Sequence, residues 1–100
     1  MSTDLTLTTG RGEDGAVVLA ATGEIDMSNA RAFSAALDDA HQEAADTPFV
    51  VDLTRVEYLD SAGLAALFPH VERIRLIVSA LLAPLLTVAG LDELTTVRDA

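Results

Sequence analysis

Leu5 and Leu7 alternate with Thr6 and Thr8. A period of two marks a half-buried strand, here one suited to a sheet edge. Gly10, Gly12, Asp14 and Gly15 supply a turn. Ala16–Ala21, with Val17, Val18 and Leu19 at its centre, reads as the returning strand of a hairpin. After Gly23-Glu24-Ile25-Asp26 the period changes. Phe33, Leu37, Ala40 and Ala44 recur at helical spacing, with Arg31, Asp38, Asp39 and Glu43 mostly elsewhere on the wheel. The spacing predicts a helix from about Ser28 to Ala45, capped by Asp26 or Ser28 and stopped before Pro48.

Phe49-Val50-Val51-Asp52-Leu53 is a nearly continuous apolar run, which suits a strand buried on both faces of a parallel sheet. Thr54 to Asp60 reads as a loop carrying Val56, Tyr58 and Leu59. Ser61 to Phe68 reads as a helix start capped by Asp60 or Ser61. Pro69 lies in its first turn or kinks it. A parallel crossover usually needs about a dozen residues or more, so one helix running through Leu76 competes with a break before Ile74. Ile74–Val78 looks like a further buried strand. Ser79 is a candidate cap for a last helix that ends at Gly90, and Leu94–Val97 adds a short edge segment. The alternation predicts an α/β fold in one layered domain over residues 1–100. Its mixed sheet has four to five strands, packed with about three to four helices on one or both faces.

The totals narrow the functions open to such a domain. Sixteen acids against six bases, all of them Arg, give a formal charge of −10. Nucleic acid and anionic membrane both call for clustered positive charge, so neither is expected as a partner. There is no cysteine for disulfide or thiolate chemistry. Met1-Ser2-Thr3-Asp4 has no signal-peptide character, and the apolar run Leu81–Leu86 is too short to span a bilayer and contains Pro84. A cytoplasmic protein is the natural expectation. No Walker loop is present, and neither His41 nor His70 has a partner at metal-ligand spacing, so no cofactor or metal is expected. His41 is read as solvated, and His70 as a cap or solvent-facing residue. A hydrolase triad could be composed from Ser61, His70 and an Asp, but the Gly-x-Ser-x-Gly elbow is missing. The sequence points to a binding module and not to an enzyme.

One segment is more specific. Phe49-Val-Val-Asp-Leu-Thr-Arg-Val-Glu-Tyr-Leu-Asp-Ser-Ala-Gly-Leu64 runs from a strand into Asp60-Ser61-Ala62-Gly63-Leu64 at a helix N-terminus. Gly23-Glu24-Ile25-Asp26 lies upstream and Ala89-Gly90-Leu91-Asp92 downstream. In this order the three motifs resemble the STAS domain, named for sulfate transporters and anti-sigma-factor antagonists. The resemblance covers about residues 16 to 94. It implies the stand-alone bacterial type, in which the Ser opening this helix is phosphorylated. Ser61 is then the phosphoacceptor, and the partner is an anti-sigma factor that is also a kinase. The unphosphorylated protein binds it and frees a sigma factor; the phosphorylated protein lets go. Between Leu64 and Gly90 the chain is several residues shorter than typical members, and it stops where many continue into a final helix.

Local chemistry agrees with a switch at Ser61. A phosphate adds roughly −1.5 to −2 charges and three acceptor oxygens. Asp60 adjoins Ser61, and Asp26 falls near it in the implied fold. Both would repel the new charge. Ala62 and Gly63 are small enough to admit a kinase, and Leu64 offers apolar contact to core or partner. Two other readings stand beside this one. The chain could be a non-switching interaction subunit of a transporter or stress assembly. It could also be a small carrier of nucleotide or lipid, with Leu81, Leu82, Leu85 and Leu86 lining a site instead of packing the core. A monomer or weak dimer is expected, since the negative charge opposes casual strand pairing at the edges.

Overall fold

A computed structural model describes residues 4–91 and the backbone of residues 96–99. Five strands form one sheet in the order of the sequence, β1 (Leu5–Arg11), β2 (Val17–Ile25), β3 (Phe49–Leu59), β4 (Ile74–Val78) and β5 (Thr96–Asp99). β1 and β2 pair antiparallel as the expected hairpin, and the three later pairings are parallel. The connections hold α1 (Ala30–Ala44), α2 (Ser61–Leu67), a 3-10 turn (Phe68–His70) and α3 (Ala83–Val88).

From β2 to β5 the chain always advances in one direction across the sheet. Right-handed crossovers in a constant direction put every helix on the same face. Burial follows that rule. Val17, Leu19, Ala21 and Ile25 of β2, Val51, Leu53, Val56 and Leu59 of β3, and Leu76 and Val78 of β4 are buried with Phe33 and Leu37 of α1, Leu67 of α2 and Leu86 of α3. Val18, Ala20, Val50, Asp52 and Ile77 point the other way and stay half-exposed, beside the exposed Thr6, Thr8, Thr22 and Arg75. The apolar run at Phe49–Leu53 is therefore covered on one face only, not on both.

The segment expected to be a loop, Thr54–Asp60, is mostly strand: β3 runs unbroken to Leu59. Its buried residues are Phe49, Val51, Leu53, Val56 and Leu59. The spacing widens from two to three because β3 carries an extra residue at two places. Ala20 pairs Asp52 but Thr22 pairs Arg55, and Gly23 pairs Val56 but Glu24 pairs Tyr58. Bulges of this kind re-aim the residues that follow them. The first is fixed by Asp52 Oδ1, which accepts from Thr54 N at 2.9 Å and Thr54 Oγ1 at 2.7 Å.

Pro69 ends α2. Its ring cannot continue the i to i−4 ladder, so the chain tightens into the 3-10 turn and reaches β4 without the single helix through Leu76. β2 continues past Ala21 to Ile25. The last helix is shorter than predicted. Ser79 receives the Leu82 and Ala83 amides on its backbone carbonyl, and the helix starts only at Ala83. Gly90, at φ +81°, ends it in the left-handed conformation expected of that position. Leu82 and Leu86 are buried in the core, Leu85 packs against it and Leu81 is exposed, so this set contributes to packing. Of the expected edge segment Leu94–Val97, Leu94 and Thr95 lie outside the described residues; residues 96 and 97 open β5.

Candidate functional site

β2 and β3 end side by side, with Ile25 paired to Leu59 and the Asp60 amide donating to the Ile25 carbonyl at 3.2 Å. Two loops therefore leave one end of the sheet together: Asp26–Asn29 into α1, and Asp60 into α2. The second is set by one carboxylate. Asp60 is extended at φ −100°, ψ −173°, and its Oδ1 accepts from Ala62 N at 2.9 Å and Gly63 N at 3.2 Å. Two amides with no intrahelical partner are thereby satisfied.

Because Asp60 is the cap, Ser61 is not. Ser61 is the first residue of α2, exposed, and its hydroxyl has no hydrogen-bond partner among the described residues. Ala62 and Leu64 are half-buried, Leu64 packing against the core. Gly63 is buried, which corrects its reading as room for an approaching enzyme. A Cβ there would run into Leu59 Cδ1 and lie 2.9 Å from Ile25 Cγ2. Its smallness faces inward and lets α2 settle on the ends of β2 and β3.

The first loop is built differently from the expectation. The residue before α1 is Asn29, not Asp26 or Ser28, and its side chain does not bond the helix amides. Instead Asn29 Oδ1 accepts from Asp26 N at 3.0 Å and Nδ2 donates to the Glu24 carbonyl at 2.8 Å. Asp26 Oδ1 accepts from the amide and hydroxyl of Ser28. The turn so folded leaves Met27 83% exposed, an apolar side chain presented to solvent at the same end of the sheet as Ser61.

The two histidines are where sequence reading missed most. His70 is buried, and its Nδ1 lies 2.8 Å from His41 Nδ1 on α1. Its Nε2 lies 3.2 Å from Asp38 Oδ1. Burial first, and then the neighbouring His41, push the His70 imidazole below its ordinary value, with Asp38 acting in the opposite direction. Asp38 and His41 meet different nitrogens of His70 and do not converge on one point. Among the described residues no group of three metal-binding side chains forms. A shallow depression of about 330 Å³ lies on the open face of the sheet among Thr8, Thr22, Asp52, Thr54 and Arg55, away from both sites.

A mixed sheet with all helices on one face, and an exposed serine at the start of the helix after β3, define a small single-sheet α/β domain. The chain belongs to the STAS domain family: the family model described as Mlab, STAS domain, matches residues 9–96. No curated protein sequence matches it. It is similar to the crystal structure of an anti-sigma factor antagonist from Mycobacterium paratuberculosis, with a TM-score of 0.86 and 25% identity over 97% of this chain and 87% of that one. The unphosphorylated form of the anti-sigma factor antagonist SpoIIAA superposes with a TM-score of 0.73 and 18% identity, over 95% of this chain and 88% of that one. An antisigma-factor antagonist STAS domain from Rhodobacter sphaeroides gives a TM-score of 0.55 and 20% identity, over 74% of this chain and 84% of that one. The fold is thus that of anti-sigma factor antagonists. Among the described residues no helix is long and apolar enough to cross a membrane.

Proposed function

We propose that the protein is an anti-sigma factor antagonist. It binds an anti-sigma factor with kinase activity and is switched off by phosphorylation of Ser61. The observation that carries this reading is the state of Ser61. A Ser at a helix start is ordinarily spent as the cap, but here Asp60 does that work and the hydroxyl is exposed and unbonded. A phosphate on it adds charge beside Asp60, at the sheet end shared with Asp26. The surface formed by the Asp26–Asn29 turn, Ser61, Ala62 and the exposed part of Leu64 would meet a docked partner with new repulsion and new desolvation cost. The ATP comes with the partner.

The test is to mix the purified protein with candidate anti-sigma kinases and ATP-Mg and read the intact mass. One added phosphate is expected, absent in Ser61→Ala. Binding by Ser61→Ala should match the unmodified protein, and Ser61→Asp should bind more weakly, within the roughly 5–150-fold range of such couplings. Equal binding by both variants would sink the switch. A second reading within the same family is a non-switching interaction subunit. That reading predicts stable co-purification with an assembly, insensitive to either Ser61 change.

A further inference from the structure

We propose that His41 and His70, with Asp38, form a clasp between α1 and the turn ending α2 that tolerates one added proton and opens on a second. The argument is a count of hydrogens. His70 Nε2 faces the Asp38 carboxylate at 3.2 Å and must carry a hydrogen to bond it. The two Nδ1 atoms, 2.8 Å apart, have room for one hydrogen between them, donated by one ring and accepted by the other. In the neutral pair those two hydrogens are the full complement, and His41 Nε2 holds a lone pair. A proton added at His41 Nε2 would leave both bonds intact. A second has nowhere to go but between the Nδ1 atoms, where two donors then face each other and two imidazolium charges sit side by side.

Asp38 offsets part of that second charge, but burial and the neighbouring His41 outweigh it. From α1 the titratable groups facing His70 are Asp38 and His41. From β3 it meets the uncharged Phe49 ring, at a centroid distance of 6.2 Å. On its own turn Glu72 is exposed, and the Arg73 guanidinium is directed to the Ala45 carbonyl at 3.1 Å. The folded protein therefore binds a proton at His70 less readily than the unfolded chain does. The sign follows. The stability contributed by His70 is present above the ordinary histidine value of about 6.5 and is lost as pH falls below it through the lowered native value. The clasp joins α1 to the far end of the α2 segment that begins with Ser61, so its opening loosens the packing of that helix.

The experiment is thermal melting of the full chain between about pH 7.5 and pH 5.5, above the range where exposed carboxylates titrate, for wild type and His70→Phe. Phe keeps an aromatic ring against Phe49 but has no nitrogen. Wild type should lose several degrees over this window and the variant should lose much less; equal losses overturn the proposal. If His70→Phe does not fold, long-range nitrogen-proton NMR of wild type decides. One hydrogen bridging the two Nδ1 atoms and two separated protonation steps support the clasp, while two histidines titrating independently overturn it.

Discussion

Two residues aim Ser61. Asp60 sets the start of α2 by holding the Ala62 and Gly63 amides, and Gly63 sets its depth by letting the helix touch Leu59 and Ile25. Gly63→Ala should therefore destabilise the protein by about 1–3 kcal/mol, the usual cost of overpacking, although Ala is intrinsically the better helix former. Urea unfolding monitored by circular dichroism measures it, and a stabilised variant would mean that α2 sits more loosely than described. At this scale the sequence was readable where chemistry is local. A cap at Asp60 or Ser61 and a helix end at Gly90 follow from neighbours within four positions, and the structure chooses Asp60. The His41–His70 contact joins residues 29 apart in the chain, and nothing in either neighbourhood announces it. Asn29 was missed for a related reason: its side chain bonds backward to Glu24 and Asp26, whereas cap signals look forward into the helix.

At the scale of elements, β3 separates pattern from structure. Its buried positions follow a period of two as far as Leu53 and then steps of three to Val56 and Leu59. A search for strict alternation ends at Leu53 and leaves a loop. The bulges restore inward facing in three dimensions while erasing the signal in one. The difference is measurable at Leu59. In a loop, truncating it would cost little. As a core residue only 4% exposed, Leu59→Ala should cost about 2–5 kcal/mol in the same urea assay. The short helices were legible in part. Pro69 warned of the break after Leu67. That α2 has seven residues and α3 six depended on where β4 pairs.

For the whole molecule, the net charge of −10 on 100 residues sets a background of self-repulsion that salt screens over about 10 Å at 0.1 M. Raising sodium chloride from about 0.01 to 0.3 M should raise the melting temperature by a few degrees at pH 7.5, read by calorimetry; no change would mean that acidic residues are locally balanced by arginines. The α/β class and the mixed sheet followed from alternating elements, but the choice of one helical face over two did not. It rests on the direction of winding, which short-range pattern does not encode. That winding also bears on how the chain emerges from a ribosome. Spatial order equals sequence order from β1 to β5, so every strand finds its neighbour already made and none must insert between two others. Assembly can proceed from the first residues onward, each newly synthesised segment adding to a growing edge, with no waiting for a distant terminus.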